Sequence, residues 1–600
     1  MEARRPAVRA ALRALYGESA DAWAERILKV ALRAGRCRPA ELQASDRERL
    51  RDPRWFLGQD LAGYSCYLDH FAGALADLRR RADYLSELGI RVLHLLPIWK
   101  RRSGESDGGF AVSDHGAVDS RYGTNDELFE LAGELRARRI SLCMDFVLNH
   151  VADDHPWASA AQRDEANYGK FFHFIGDEAE IRAFNASVPS VFPATVPGNF
   201  TWVPARGDWV WTTFYPYQWD LNYANPRVLF EIVKILLKLA NLGVEMFRLD
   251  SIPYLWKRQG SDCRNQPEVH ELLRVLRAAV EIAAPGVLLM AEAIVEAAEQ
   301  RRYLGDMQHR EAHLAYNNAQ MLELWAALAD GDARKLGAQA VRSAPPAGAG
   351  WVHYARCHDE IGWCNLPEPG RAERAQRLDD FFSGRAPNSF STGQSFESAP
   401  GAIPGTCGTL ASLAGLERAR EEGDSKALEL ARRRIWLMHG IICSMPGLPF
   451  FFMGDEIGLC NVRGALPREG GGDGRNLHRP AMDWERALLR ADPASIEAAI
   501  WDDLRELLMR RRELLCLHAE AGLEVFPTPH CQVLCMVRRT PGETLVVLAN
   551  FSAERLWLAP LADSMRVSPR RVDVLSGQRA NLAEPFWLEP YDLLWLAPVS

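Results

Sequence analysis

The sequence predicts an α/β protein built on a (β/α)8 barrel, and three observations carry that reading. Short apolar runs alternate with longer amphipathic segments from about residue 57 to about residue 517. Acidic or imidazole side chains recur where those runs end, as in EMFRLD (245–250), GVLLMAEAIV (286–295) and WVHYARCHDE (351–360); a parallel barrel assembles its active site at strand C-terminal ends. No GxGxxG follows the first strand, which weighs against a doubly wound open sheet.

Taken in order, residues 1–56 are rich in Arg, Ala and Leu and predict a helical N-terminal region. The opening MEARRPAVRAALRAL carries positive charge but no continuous apolar core and no small-residue cleavage site, so it does not read as a secretory signal, and a cytoplasmic location is expected. Residues 57–150 form the first part of the barrel. There RVLHLLPI (91–98) and ISLCMDFVLNH (140–150) read as buried parallel strands. Between them TNDELFELAGELRARR begins with capping residues and sets Leu128, Leu131 and Leu135 on one helical face.

Residues 151–223, rich in Trp, Phe, Tyr and Pro, read as a folded insertion over the barrel mouth. The barrel resumes over 224–360. In NPRVLFEIVKILLKLANLG, Asn225 caps a helix, Pro226 suits its first turn and Gly243 ends it before the strand VEMFRLD. A second insertion, rich in Ser, Gly and Pro, occupies 361–425, and the barrel closes over 426–517 with the strand LPFFFMGDE (448–456). The Gly-rich REGGGDGRN (468–476) lacks the GK[ST] of a phosphate loop and reads as a flexible loop. From about residue 518 short alternating strands such as CQVLCMVRR and ETLVVLANFS predict an antiparallel β-sandwich domain over 518–600.

Composition narrows the function. The chain has 600 residues, 48% of them hydrophobic, enough for a large core. Its 79 acidic against 71 basic residues give a net charge of −8, and no dense Lys/Arg tract suggests nucleic acid as a partner. The most apolar segment, Ile435 to Phe452, is broken by His439, Pro446 and Pro449; it predicts a buried helix followed by a buried strand, with no membrane span. The 12 cysteines include no CxxC pair and many sit inside apolar runs, as Cys143 and Cys443 do, which suits a reducing compartment. The 15 histidines lack zinc-ligand spacing, His150 and His155 being the nearest approach to a pair, so no metal site is expected.

Three acids at three strand ends, Asp250, Glu292 and Asp359, match the needs of glycosidic bond chemistry. One carboxylate attacks the anomeric carbon while a second acid protonates the leaving oxygen, and the two stand about 5 Å apart when configuration is retained. Arg248, one pleat from Asp250 on the same strand face, can hold the attacking carboxylate ionised, and His150 and His358 can bind sugar hydroxyls. Carboxylates alone perform this double displacement, so no cofactor is implied.

The motifs DFVLNH, FRLDSI, AEAIV and ARCHDE, in this order, resemble the four signature regions of the α-amylase superfamily, glycoside hydrolase family 13. More closely, SDGGFAVSDHGAV, WVWTTFYPYQWDLNYANP, LANLGVEMFRLD, HDEIGW and DGRNLHRP are similar to amylosucrases and the related sucrose hydrolases, from about residue 57 to the end. The resemblance implies Asp250 as nucleophile, Glu292 as general acid/base and Asp359 as the residue that distorts and holds the sugar, with Arg248, His150 and His358 in support. It also implies a salt bridge between Asp107 and Arg475 that closes the pocket behind one glucosyl unit, and aromatic contacts from Phe110, Tyr217 and Tyr254.

The departures from that pattern matter too. Amylosucrases carry a second aspartate where this chain has Glu360, and their leaving-sugar arginine aligns with Gly405. On the acceptor side, charged residues of the family align with Pro189 and Ala194, and a glutamine with Glu397. The resemblance therefore implies transfer of a glucosyl unit from sucrose or a related donor to a glucan, a small sugar or water. Hydrolysis of another α-glucoside is the alternative that the altered leaving-group positions favour. A non-catalytic carbohydrate-binding barrel is the third possibility, against which stand three retained carboxylates.

Overall fold

The computed structural model describes residues 4–165, 167–366, 370–397, 402–462 and 473–599. Eight parallel strands close into a barrel in chain order: β1 (Gly63–Cys66), β2 (Val92–Leu95), β3 (Ser141–Val147), β4 (Met246–Asp250), β5 (Leu288–Ala291), β6 (Leu314–Tyr316), β7 (Gly350–Tyr354) and β8 (Gly447–Phe452). Each pairs in parallel with its sequence neighbour, and β8 pairs with β1. Every residue of β3 and β4 is buried, as strands covered on both faces require.

The helices form for local reasons that the chain spells out. Asn125–Ala137, between β2 and β3, starts with a reciprocal capping box of Thr124 and Glu127 and buries Leu128, Leu131 and Leu135. Pro226–Asn241, before β4, is capped by the Asn225 side chain and has proline in its first turn. Gly243 follows it with φ +94°, and a Cβ there would sit 2.8 Å from Ala132 Cβ, so both backbone and packing select glycine. The apolar segment expected to be a helix then a strand is the helix Ser425–Ser444 followed by β8. Among the described residues no helix is long and apolar enough to cross a membrane.

The N-terminal helices Arg5–Tyr16 and Ala20–Arg36 pack on the barrel helices Pro267–Ala283 and Pro226–Asn241. Arg49, at the end of the next helix, reaches the N-terminal rim of the barrel, with Nη2 2.6 Å from Glu245 and Nη1 donating to Gly286 O at 3.0 Å. Glu245 also takes Arg136 at 2.6 Å, so one buried carboxylate ties three segments together at the end opposite the strand termini.

Over the other end lie the two insertions. The first pairs His150–Ala152 with Gln218–Asp220 and adds a three-stranded antiparallel sheet of Phe174–Ile175, Phe200–Val203 and Asp208–Trp211. The second, within which 367–369 and 398–401 lie outside the described residues, forms an antiparallel sheet of Ile361–Gly362, Gly405–Cys407 and Gln394–Phe396. They meet above the barrel in an apolar cluster of Phe192, Phe396, Cys407 and Leu477, with Phe192 and Phe396 rings 6.2 Å apart. Residues 468–472 of the expected flexible loop lie outside the described residues. Its remainder is ordered structure instead: Asp473 caps the short helix Gly474–His478, because its carboxylate accepts from Arg475 N and Nε.

The C-terminal part is a six-stranded antiparallel sheet in the order Gly522–Phe526, Val533–Arg539, Thr544–Asn550, Leu593–Pro598, Arg570–Asp573, Arg579–Asn581. A hairpin-like pair, Leu556–Leu558 and Phe586–Leu588, covers one face, burying Leu558 and Leu588 against Val546, Leu548 and Leu596.

Candidate active site

The register of β3 and β4 sets Arg248 opposite Asp145, and from there the guanidinium reaches acids on or just after four strands. Its Nη1 donates to Asp145 and, at 2.8 Å, to Asp250 Oδ1; its Nη2 lies 3.0 Å from Glu292 Oε1 and 4.0 Å from Asp359 Oδ2. Asp250 ends β4, Glu292 follows β5, and Asp359 follows β7. Glu292 Oε2 accepts a second bond, 2.6 Å from the backbone N–H of Ser251. Ser251 holds φ +51°, a left-handed conformation uncommon for a serine, and it turns that N–H toward Glu292 directly after Asp250. Behind Asp145 a buried relay continues: His94 Nε2 is 2.9 Å from Asp145 Oδ2, and Ser65 Oγ is 2.9 Å from His94 Nδ1.

A cavity of about 230 Å³ opens onto these groups. At one side Arg475 Nη2 pairs with Asp107 Oδ1 at 2.6 Å, both largely buried. Arg475 also holds Asp473 at 2.8 Å, approaches Asp359 at 3.5 Å, and donates to Tyr215 Oη at 3.3 Å. Asp107 takes a further bond from Gln218 Nε2 at 3.2 Å. Asp107 itself has φ +50°, and Gly108 beside it has φ +63°, with a Cβ there only 2.8 Å from Tyr67 Oη. The aspartate paired with Arg475 thus sits on a loop whose path depends on the adjacent glycine.

The wall carries stacked and edge-on rings. Phe110 lies parallel to His358 with centroids 5.3 Å apart, and Phe214 stands between His150 and Tyr254 at 5.4 Å from each. His358 Nε2 is 3.3 Å from Asp359 Oδ2, while the His358 carbonyl accepts from Arg479 Nε at 2.9 Å and faces His478 Nε2 at 3.0 Å. Arg356 fixes the same turn by donating to the Asp359 carbonyl at 2.7 Å and the Gly408 carbonyl at 2.8 Å.

Burial dominates the electrostatics. It pushes the Asp250 carboxyl well up, with the neighbouring Glu292 adding to the rise and Arg248 opposing it. It also raises Glu292, against Arg248 and with Asp359. The pair therefore retains a proton into a range where exposed carboxyls have lost theirs. Asp145 is lowered instead, because although burial acts upward, Arg248 and His94 outweigh it. Burial holds His150 and His358 below the ordinary imidazole range, so both are neutral hydrogen-bonding groups at neutral pH.

Of the residues singled out in the sequence, the structure brings Asp107, Phe110, His150, Arg248, Asp250, Tyr254, Glu292, His358, Asp359, Glu360 and Arg475 onto one cavity. Tyr217 is not on that wall. Its ring stacks parallel on Tyr215 at 5.3 Å with Arg102 over its face, and Tyr215 is the one whose hydroxyl meets Arg475. Glu397 is engaged elsewhere, accepting from Ala194 N at 2.7 Å and Thr195 Oγ1 at 2.6 Å, which fastens the loop of the first insertion to the second.

Asp145, His94, Arg479 and Tyr215 were not singled out. For the first two a signal existed: a charged or imidazole side chain inside the apolar runs SLCMDFV and VLHLL must find a buried partner. Among the described residues, Cys357, His358 and Asp359 form the one group whose ligand atoms lie within 4.8 Å of one another. Three guanidiniums, of Arg248, Arg475 and Arg479, already approach Asp359 within 4.0 Å, an environment that repels a cation.

Comparison with known proteins adds to this geometry. The family model of the alpha amylase catalytic domain matches residues 39–339. A trehalose synthase/amylase of Mycobacterium tuberculosis is 29% identical over 431 residues, 70% of this chain and 65% of that protein, so the chain spans just under two thirds of that relative's length. A glucosylglycerate phosphorylase of Spirochaeta thermophila is 29% identical over 495 residues, 79% of this chain and 76% of that protein. The crystal structure of sucrose 6F-phosphate phosphorylase from Thermoanaerobacter thermosaccharolyticum superimposes with a TM-score of 0.65, covering 82% of this chain and 94% of that one. At 16% identity that likeness is one of fold.

Proposed function

The chain belongs to the α-amylase family, glycoside hydrolase family 13, and on that premise we propose that it is a retaining enzyme that transfers single glucosyl units from a small α-glucoside, sucrose or a related donor, to a glucan, a small sugar or water. The observation that carries the proposal is the Arg248 guanidinium, which touches Asp250 with one terminal nitrogen and Glu292 with the other. A buried pair of carboxyls sharing a proton on one cation supplies both forms that the chemistry needs, one ionised and one protonated.

In the first step Asp250 attacks the anomeric carbon and the bond to the leaving oxygen breaks, with Glu292 giving that oxygen its proton. A glucosyl ester on Asp250 results, and as the charge of Asp250 is consumed Arg248 keeps the ionised Asp145 as its partner. In the second step Glu292, now a carboxylate, takes a proton from water or a sugar hydroxyl, whose oxygen attacks the anomeric carbon and breaks its bond to Asp250, releasing the carboxylate. Asp359 and the neutral His358, held together at 3.3 Å, are placed to bind adjacent hydroxyls of the sugar ring. The Arg475–Asp107 pair leaves no space for a preceding sugar, which limits the donor to a terminal glucosyl unit.

A second reading, hydrolysis or isomerisation of a donor other than sucrose, is favoured by Gly405, which offers no side chain on the leaving-group side, and by relatives named for trehalose and glucosylglycerate. Incubation with sucrose, trehalose, maltose, glucosylglycerate and an aryl α-glucoside, each with and without inorganic phosphate, separates these readings. Glucose and short transfer products are expected from at least one donor. Release from none of them contradicts the proposal. A cytoplasmic setting is the one that the scattered, unpaired cysteines suit.

A further inference from the structure

Four arginines line the catalytic cavity, and three of them are committed. Arg248 holds Asp250 and Glu292, Arg475 holds Asp107 and Asp473, and Arg356 donates to the Gly408 and Asp359 carbonyls. Arg264 is the exception. Among the described residues its guanidinium makes no ion pair and no hydrogen bond; it lies over the Tyr254 ring, 5.1 Å from the centre, and is only partly buried. An aromatic face supports a guanidinium without using its N–H donors, so these stay available to a ligand. The backbone is set to present this side chain. Cys263 and Asn265, on either side of it, have φ +55° and +50°, left-handed conformations that are costly outside glycine. Anchors maintain them: Asn265 N–H donates to the Pro253 carbonyl at 3.0 Å, the Tyr303 hydroxyl donates to Asn265 Oδ1, and the buried Gln266 donates from Nε2 to the Arg264 carbonyl at 3.0 Å.

We propose that Arg264 binds an oxyanion on the partner of the glucosyl unit, the group that leaves in the first step or attacks in the second, so that the cavity selects an acidic small molecule over a neutral one of the same size. The position suits that half of the cavity. Burial raises the Tyr254 phenol, Arg264 opposes, and Cys364 and Glu292 add, so the free guanidinium, the second insertion and the acid/base all surround one ring. The Arg475–Asp107 pair belongs to the glucosyl side of the cleaved bond, whereas Glu292 serves the oxygen on the partner's side. An oxyanion at Arg264 gains a charge-assisted bond and breaks no existing pair. Two sources share this chemistry. A small hydroxy acid attacks through its hydroxyl oxygen, gives that proton to Glu292 and leaves its carboxylate on Arg264. Inorganic phosphate attacks through one oxygen, takes the anomeric carbon from Asp250 as glucose 1-phosphate and keeps its other oxygens on Arg264.

The inference rests on the glucosyl-transfer reading, and two readouts keep their failures apart. In the first, the unmodified protein, Arg264→Gln and Arg264→Lys are supplied with α-glucosyl fluoride, and transfer to glycerate, to glycerol and to inorganic phosphate is compared. Glycerate carries a carboxylate where glycerol has a hydroxymethyl group, so their ratio isolates the charge. For the unmodified protein one of the two anions is expected to exceed glycerol in kcat/KM by about tenfold or more. That preference should fall about tenfold in Arg264→Gln and less in Arg264→Lys, which keeps the charge but not the fork. The loss should lie in the acceptor's KM more than in kcat, as removal of a binding contact requires. A loss confined to glycerate assigns the contact to a carboxylate, and a loss confined to glucose 1-phosphate formation assigns it to phosphate. No preference for either anion over glycerol, or a preference that survives within about twofold in Arg264→Gln, overturns the inference. In the second readout, calorimetry measures the binding of glycerate and of phosphate to the unmodified protein and to Arg264→Gln, which needs no turnover. No consumption of glucosyl fluoride by the unmodified protein defeats the glucosyl-transfer reading. The inference is then decided by binding: a weakening of about tenfold in Arg264→Gln supports it, and equal or undetectable binding overturns it.

Discussion

Arg475 and Asp107, 368 residues apart in the chain, meet at 2.6 Å on the wall of the cavity. The arginine comes from the segment after β8 and the aspartate from the segment after β2, so the pair also ties the two ends of the barrel wall. Arg475→Ala leaves Asp107 buried with Gln218 alone, and Asp473 without its nearest cation. A loss of about 3 kcal/mol in stability is expected, read as a lower midpoint in denaturant. Glucosyl donors should bind correspondingly worse. An unmodified protein that cleaves starch rapidly in mid-chain contradicts the closed pocket.

Arg248→Lys tests whether the fork geometry or the charge is what matters. An ammonium is a single point and cannot hold Asp145, Asp250 and Glu292 together. Turnover should drop by about a hundredfold to a thousandfold, the cost of losing one preorganised stabilising contact. Turnover within a few-fold of the unmodified protein shows that the positive charge alone suffices.

Asp250→Asn carries opposite expectations for activity and stability. Loss of the nucleophile abolishes turnover on natural donors. The folded-state pKa of Asp250 is raised above its unfolded value, chiefly by burial, so ionisation costs the folded state more than the unfolded one. That cost is absent below the unfolded value of about 4 and grows as pH rises toward the folded value. The asparagine variant should therefore melt higher than the unmodified protein at neutral pH and equally at about pH 4. A lower melting temperature at neutral pH contradicts this account of the pair.

Glu292→Gln removes the proton donor and keeps one of the two contacts, because the Ser251 N–H and Arg248 bond different carboxylate oxygens and the amide retains a single one. A loss of about 10²–10⁴-fold is expected with sugar leaving groups and a much smaller one with fluoride, which departs without protonation. Because burial raises both Asp250 and Glu292, the acid and alkaline limbs of the unmodified protein's kcat/KM profile should both lie above the ordinary carboxylate range of about 4. Equal losses for all donors remove Glu292 from the acid's role.

How much of this was legible in the sequence depends on how local its cause is. The helix at Asn125–Ala137 announces itself through a capping box, and β3 and β4 through long apolar runs that end in polar groups. β1 and β6 do not: GYSC and LAY are too short and too mixed to stand out, and they exist as strands because neighbouring strands supply hydrogen bonds on both sides. The clustering of Asp250, Glu292 and Asp359 follows from barrel topology once the strands are found. The Arg248 contact to Asp145 follows from register, which no single strand encodes. Tyr217 looks like a sugar platform in sequence, and packing of the first insertion instead stacks its ring on Tyr215, whose hydroxyl meets Arg475. That Glu360 and Gly405 share one space is a fact of two insertion strands meeting, invisible until both are folded.

The central claim is a covalent glucosyl-enzyme on Asp250, and peptide mass mapping after reaction with a slow fluorinated α-glucosyl fluoride tests it most directly. The account predicts one added fluoroglucosyl unit, carried by the peptide that contains Asp250 and absent from the Asp250→Asn protein. A unit attached to any other residue, or steady turnover of the reagent with no adduct and with inverted product, contradicts it.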